Sequence, residues 1–335
     1  MNKTAIEWTH YSSNPIRARY TRADGTVKKG WACVHASSGC IRCYAEAINK
    51  RFGTGLAFTA QDTAKVEFVL DERELKAWQR MRPQDGENLV FICDMTDLFQ
   101  DGVSDELILR VFTAMRAAPW WTFQVLTKRA DRMAHFVRRL AWRTPTTVEL
   151  DYGLHGPQAY LCEECGDSLS AKCPNIWLGV SAENQKAADQ RIPALASIDA
   201  AVHFISAEPL IGPIDFRLVP GFNRIGLDLH GWQVIVGGES GMGARPTDIA
   251  WIRSIVEQCK AAGVPCFVKQ LGSFVVMDEQ LWRAEALTPM LTPRGRQQVP
   301  EGKVRLLLNG SKGNAFESWP AQFQVREFPK VKVPA

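Results

Sequence analysis

A chain of 335 residues that is 46% hydrophobic is too long for a small stapled domain and has the apolar material for one large α/β barrel or two ordinary domains. Its net charge of +4, without a block of like charges, permits a nucleic-acid partner but argues against a basic tail. The first residues, MNKTAIEWTH, lack the charged start and apolar run of a signal peptide, and no apolar stretch approaches a membrane span. A cytoplasmic protein with no membrane partner is therefore expected. In that compartment close cysteines more often bind metal than form disulfides, and the nine present are an odd number.

In chain order, residues 5–9 (AIEWT) read as a first strand, followed by a long loop containing Gly25, Gly30 and two lysines. Residues 31–44 (WACVHASSGCIRCY) then set Cys33, Cys40 and Cys43 in the spacing C-x6-C-x2-C, with a helix behind them in AEAINKRF. Three thiolates on one flexible loop can hold three irons of a cubic cluster and leave the fourth iron open to a substrate or cofactor. The same thiols can bind zinc with His35 as fourth ligand, or can be ordinary buried thiols.

Residues 65–69 (KVEFV) read as a second strand, with an amphipathic helix in ERELKAWQRM. A rhythm of apolar strand and amphipathic helix follows. It runs through NLVFICDMTDLF, WTFQVLTKRADRM, NIWLGVSAENQ, VHFISAEPLIG, WQVIVGGESGMGARP and PCFVKQLGSF, giving eight strand candidates with AIEWT and KVEFV. Such alternation predicts a parallel sheet buried on both faces. The α/β architecture expected is a TIM-type (β/α)8 or partial barrel over residues 1–273.

In a barrel of this kind chemistry collects where the strands end. Those ends carry Asp94, Thr96 and Asp97; Thr127, Lys128 and Arg129; Ser181 and Glu183; Ser206 and Glu208; Gly237, Gly238, Glu239 and Ser240; and Lys269 and Gln270. Asp94, Glu208 and Lys269 are the catalytic candidates, the last two as a clamp or proton relay on neighbouring turns. Lys128 and Arg129 beside Thr127 suit a carboxylate or phosphate, and a salt bridge to Asp131 or another strand-end acid is the plain alternative. Gly237 and Gly238 allow backbone to approach a ligand, with Glu239 and Ser240 beside it. A tight turn with a solvent-facing Glu239 is the other reading.

Two segments break the rhythm. Residues 143–173 form an insertion holding Cys162, Cys165 and Cys173, which with His155 can make a small zinc knuckle, a second cluster or no metal site. Residues 274–335 read as a hairpin or C-terminal extension packed on the barrel.

The segments IEWT, SGCIRCYAE, MTDLF, FQVLTKRADRM, IWLGVSAENQ, ISAEPLIGPID, VIVGGESGMGARP and FVKQLG occur in this order between residues 4 and 272. Together they resemble the phage-associated three-Cys-motif family of unknown function. That family is itself similar to radical S-adenosylmethionine (radical SAM) enzymes, which carry a three-cysteine loop after the first strand of a full or partial TIM-type barrel. The resemblance implies a [4Fe–4S] cluster on Cys33, Cys40 and Cys43, with S-adenosylmethionine chelating the open iron. It implies a 5′-deoxyadenosyl radical that takes a hydrogen atom from a small-molecule or nucleic-acid substrate, and an electron donor such as flavodoxin or ferredoxin. The phage setting points to a nucleotide or a modified DNA base. Tyr44 matches the aromatic neighbour of the third cysteine, packing on cluster or adenine, or simply seating the helix.

Two features depart from the superfamily. The first cysteine interval is six residues where three is usual, and the Gly237-Gly238-Glu239 motif follows the seventh strand candidate, not the second. The competing expectations are a nucleic-acid-interacting zinc protein, and a metal-dependent barrel hydrolase using Asp94, Asp97 and Glu208.

Overall fold

The computed structural model describes residues 1–144, 147–150, 173–220, 231–284, 299–306 and 312–330. These divide into two compact units, Met1–Val180 with Ala194–His203, and Ser181–Pro193 with Phe204–Lys330. Both are mixed α/β.

In the first unit, β1 (Asn2–Lys3) and β2 (Tyr11–Ser13) pair antiparallel, Asn2 opposite Ser12. Next, β3 (Ile16–Thr21), β4 (Val27–Gly30) and β5 (Glu67–Leu70) make a separate antiparallel sheet in the order β4-β3-β5. Helices α1 (Tyr44–Phe52) and α2 (Ala60–Thr63) lie between β4 and β5, and α3 (Glu72–Arg80) follows β5. The parallel part is β2, β6 (Leu89–Ile92), β7 (Thr122–Thr127) and β10 (Ile176–Ser181), with Tyr11 opposite Val90, Leu89 opposite Thr122 and Phe123 opposite Ile176. Helices α4 (Asp105–Arg116) and α5 (Ala130–Arg138) follow β6 and β7, and β8 (Leu140–Thr144) with β9 (Thr147–Leu150) makes a hairpin.

The local chemistry explains these elements. Every residue of β6 and β10 is buried, as expected of strands covered on both faces. Helix α4 starts at Ser104, whose hydroxyl accepts from the Leu107 amide, and buries Ile108, Val111, Phe112 and Met115. Phe112 and Phe136 of α5 meet at 5.4 Å between ring centroids, with Phe99 against both. That aromatic cluster backs the ends of β6 and β7.

In the second unit, helix α6 (Gln185–Ala196) begins, and β11 (Val202–Ala207), β12 (Trp232–Gly237) and β14 (Cys266–Gln270) stand in that order, Val234 opposite Cys266 in parallel. Helix α7 (Ile249–Ala262) runs between β13 (Thr247–Asp248) and β14, capped by Asp248 and ended by Gly263 at φ 66°. Strands β15 (Val275–Asp278) and β16 (Lys303–Leu306) pair antiparallel, and β13 joins β15; a short helix α8 (Glu279–Ala284) follows β15. Farther on, Val325 and Glu327 bond to Val268 and Cys266 along β14.

Two expectations are corrected. AIEWT is not a strand: residues 4–10 form the tip between β1 and β2, closed by Thr4 N–H to His10 O at 3.2 Å. Trp8 is buried there against Phe91 without strand pairing, so its apolar character reflects tertiary packing. KVEFV supplies β5 of the separate sheet, with Leu70 opposite Ile16, and is no member of the parallel set. The long loop after AIEWT is in fact the β3-β4 hairpin.

Candidate functional site

The three-cysteine segment starts where β4 ends. Gly30 has to be glycine there, because a Cβ would stand 2.4 Å from the Thr54 amide nitrogen. Trp31 donates its backbone N–H to Asn49 Oδ1 at 2.9 Å, and the fully buried Asn49 also receives Thr54 N–H at 3.1 Å and donates to Leu56 O at 3.0 Å. One side chain thus pins the start of the loop to α1 and to the turn after it. Sequence reasoning missed it, although an asparagine in a helix interior is a poor helix former and signals a tertiary role.

The loop then folds as consecutive tight turns, Cys40 N–H to Ser37 O at 2.9 Å and Cys43 N–H to Cys40 O at 3.2 Å. They bring Cys43 to the N-cap of α1. Cys33 and Cys43 both pack on the apolar cluster of Ala45, Phe58 and Met95. Burial pushes the Cys33 thiol up to about 12; nearby Asp97 adds to this, Arg129 opposes it, and the charges of Cys40 and Cys43 add further. Burial also raises Cys43, against the pull of the Glu46 and Ala45 amides at the helix start. The three thiols therefore lie within electrostatic reach of one another.

His35 is engaged elsewhere: its Nε2 stands 3.0 Å from Glu46 Oε2, and Glu46 Oε1 accepts Phe58 N–H at 3.2 Å. Among the described residues no group of three or more His, Cys, Asp or Glu side chains is placed to hold a metal ion.

The ends of β6 and β7 close over this loop. Asp97 accepts from Thr127 Oγ1 at 2.7 Å, from the Lys128 amide at 3.0 Å and from Arg129 Nη1 at 3.0 Å. Arg129 therefore pairs with a strand-end acid, Asp97, as the plain alternative has it. From there its Nη2 donates to Val34 O at 2.7 Å, and its Nη1 lies 3.9 Å from Cys33 Sγ. Asp94 accepts from Asn14 Nδ2 at 2.6 Å, its carboxyl raised by burial against the lowering effect of that amide. Tyr44 donates its hydroxyl to Asp94 O at 2.7 Å while its ring stays about half exposed. Asp94, Asp97, Thr127, Lys128 and Arg129 thus stand near the cysteine loop, with Tyr44 at the start of the helix that follows it.

The second unit gathers the remaining candidates. Lys269 Nζ lies 3.2 Å from Glu208 Oε1, the neighbouring-turn pairing the strand order suggests, and Ser206 Oγ donates to Glu208 Oε2 at 3.3 Å. A Cβ on Gly237 would come within 2.8 Å of Glu208 Oε1, and one on Gly238 within 2.2 Å of Leu271 O. Both glycines serve close packing at this strand end. Glu239 is buried, accepting from the Arg245 amide at 2.8 Å, from its Nε at 3.0 Å and from its Nη2 at 2.5 Å, while Ser240 is exposed. The solvent-facing Glu239 of the plain-turn alternative is corrected by that burial. Glu183 is likewise held by Arg191 at 2.8 Å.

Of the insertion's candidates Cys173 is described and buried; His155, Cys162 and Cys165 lie outside the described residues. No helix among the described residues is long and apolar enough to cross a membrane.

The model of a family described as "Protein of unknown function (DUF5131)" matches residues 3–311, nearly the whole chain. No curated protein and no solved structure matches.

Proposed function

The chain belongs to this family of unknown function, and from that premise we propose that it is a radical S-adenosylmethionine enzyme. The carrying observation is the turn-rich loop that carries Cys33, Cys40 and Cys43, with Cys33 Sγ 3.9 Å from Arg129 after β7. What supports a cubic cluster is the donor type, three cysteine sulfurs on one loop. Each thiolate of such a cluster binds a different iron, so the sulfurs need not converge on one ion as around zinc. The alternation of parallel strands and helices from β6 onward, with AIEWT and KVEFV outside it, supports the finer reading of a partial TIM-type barrel.

When bound, a [4Fe–4S] cluster would supply the electron for cleavage of S-adenosylmethionine to methionine and a 5′-deoxyadenosyl radical. The chain's own residues do the rest. Cys33, Cys40 and Cys43 would hold the cluster. Because Cys33 stays protonated as a free thiol at neutral pH, metal coordination has to displace its proton. Arg129 offsets the negative charge that results, and Asp97 fixes the guanidinium for it. Tyr44, Thr127 and Lys128 border the same loop and are the cofactor-binding candidates. Asp94, with its raised carboxyl, is suited to hold a proton there. The Glu208–Lys269 pair is the proton relay or substrate clamp of the second unit. A flavodoxin- or ferredoxin-type donor supplies the electron, and the resemblance to a phage-associated family supports a nucleotide or modified DNA base as substrate.

Anaerobic reconstitution tests the reading. Purified chain should take up about four irons and four sulfides, and reduction with S-adenosylmethionine present should release 5′-deoxyadenosine, lost in Cys40→Ala. Cluster-loaded protein that never cleaves S-adenosylmethionine, or zinc in place of iron after preparation without oxygen, overturns it.

A further inference from the structure

Helix α1 carries its apolar stripe on the outside. The residues it buries are Ala45 and Asn49, a methyl group and an amide. Ile41, just before the helix, is 64% exposed, Ile48 38% and Phe52 70%, with the Tyr44 ring about half exposed in the same row. Positions 41, 44, 48 and 52 follow the three- and four-residue spacing that normally marks a face turned to the core. Ten large hydrophobic side chains are exposed among the described residues, and these are four of them. Such a cluster marks an interaction surface, whereas exposed hydrophobics scattered singly mark nothing.

The charges beside the stripe are cationic. Arg42, Lys50 and Arg51 outnumber Glu46, the single acid of residues 41–52. Glu46 is turned inward, 14% exposed, paired with Lys50 at 2.8 Å and standing 3.0 Å from His35. The Arg51 guanidinium lies 4.8 Å over the Phe52 ring, so charge and apolar contact are offered together. Lys28 adds a cation on the face of β4 shared with Gly30, where a Cβ on Gly30 would stand 2.7 Å from Gly53 Cα at the end of α1. A basic rim around an apolar centre is complementary to a protein that sets acidic groups around an apolar patch. The isoleucines decide against a nucleic-acid strand, which is gripped by cations and stacking rings and gains little from an aliphatic branch.

The position of the stripe names the partner. Ile41 lies between Cys40 and Cys43, and Cys43 is the N-cap of α1, so a protein seated there meets the edge of the three-cysteine loop. We infer that the outer face of α1 docks an acidic, flavodoxin-type electron donor, whose flavin presents an apolar dimethylbenzene edge. The donor's task rests on the radical S-adenosylmethionine reading: one electron leaves the reduced flavin and one enters the cluster held by the loop. A patch of this size suits a short redox encounter, which buries less than about 1,200 Å² in total.

The test is calorimetric titration of the full chain, metal-free and cluster-loaded, with purified oxidised flavodoxin, without reductant or S-adenosylmethionine. Expected is saturable binding that weakens about tenfold as salt rises from about 50 to 300 mM. Phe52→Ser and Arg51→Glu should each weaken it about tenfold, with melting temperatures matching wild type because both side chains are exposed. In cluster-loaded protein the same variants should slow reduction by flavodoxin hydroquinone about tenfold and leave reduction by dithionite unchanged. Dithionite-reduced protein that never cleaves S-adenosylmethionine would sink the enzymatic reading alone, since docking is read from binding. No flavodoxin binding at low salt, binding indifferent to both substitutions, or tighter binding of a ferredoxin overturns the inference. So does a dimer in sedimentation velocity that Phe52→Ser dissolves, which gives the face to a second copy, or displacement of flavodoxin by a single-stranded oligodeoxynucleotide.

Discussion

Arg129 reaches from the end of β7 to Cys33, its Nη1 standing 3.9 Å from the sulfur while the same nitrogen pairs with Asp97 at 3.0 Å. A cation held in that fork cannot swing away without breaking an ion pair of which both members are largely buried. The guanidinium is therefore a fixed positive charge beside Cys33. Its second nitrogen also fastens the loop at Val34 O, so one side chain both shapes the cysteine segment and sets its electrostatics.

Arg129→Gln should consequently weaken cluster retention more than it weakens the fold. Asp97 keeps its bonds from Thr127, Lys128 and Phe99, so the stability loss is expected to be about 1–3 kcal/mol in a denaturant titration. Loss of iron to a chelator should be several-fold faster than in wild type. Equal chelation rates would remove Arg129 from the site.

The glycines of the turn after β12 separate by the space each has. Gly238→Ala puts a methyl group 2.2 Å from the Leu271 carbonyl, where backbone must move, and should cost about 3 kcal/mol or more. Gly241→Ala meets no atom and is strained only by its φ of 99°, so about 1 kcal/mol is expected. Unfolding midpoints of the two variants check the order.

Much of this was legible in the chain. Uninterrupted apolar runs identified β6, β7, β10, β11, β12 and β14 because strands covered on both faces leave no polar alternation to confuse them. The grouping of Asp94, Asp97, Thr127 and Arg129 near the cysteines followed from strand-end logic. The failures are local. AIEWT imitated a strand because Trp8 is buried by packing against Phe91, which periodicity cannot distinguish from pairing. The β3-β4 hairpin was announced by Asp24-Gly25, with Gly25 at φ 80° and Asp24 Oδ1 accepting the Thr26 amide at 2.8 Å, a turn signal that went unread. The partners of Asn49, Glu46 and Glu239 were not readable, since each acts through the tertiary neighbour or turn it meets.

The Glu208–Lys269 contact distinguishes a structural pair from a working one. Lys269→Met leaves a mostly buried carboxylate with Ser206 as its remaining partner among those described above, and should destabilise by about 1–3 kcal/mol, more than Glu208→Gln, which keeps polar atoms in place. If the pair serves catalysis, Glu208→Gln should also lower turnover of the bound substrate by about a hundredfold, with S-adenosylmethionine cleavage in the first unit retained. Turnover that tracks folded fraction alone assigns the pair to packing.

The thiol of Cys33 gives a test that needs neither cluster nor substrate. Burial raises it to about 12 from the ordinary value of 9.0, so at pH 8 only roughly one part in ten thousand is thiolate, the form that alkylates. Iodoacetamide should therefore modify Cys33 of metal-free folded protein far more slowly than the same residue in urea. The rate should rise about tenfold per pH unit from 8 to 11 without levelling. Arg129→Gln removes the one opposing charge and should slow the reaction further, although it opens the loop; a mere loss of shielding would speed it. Iron loading should protect Cys33, Cys40 and Cys43 together, read by peptide mass spectrometry. A plateau in the Cys33 rate near pH 9 would mean that the thiol is solvated, and the shielding of this partly buried cysteine would be lost as a feature of the site.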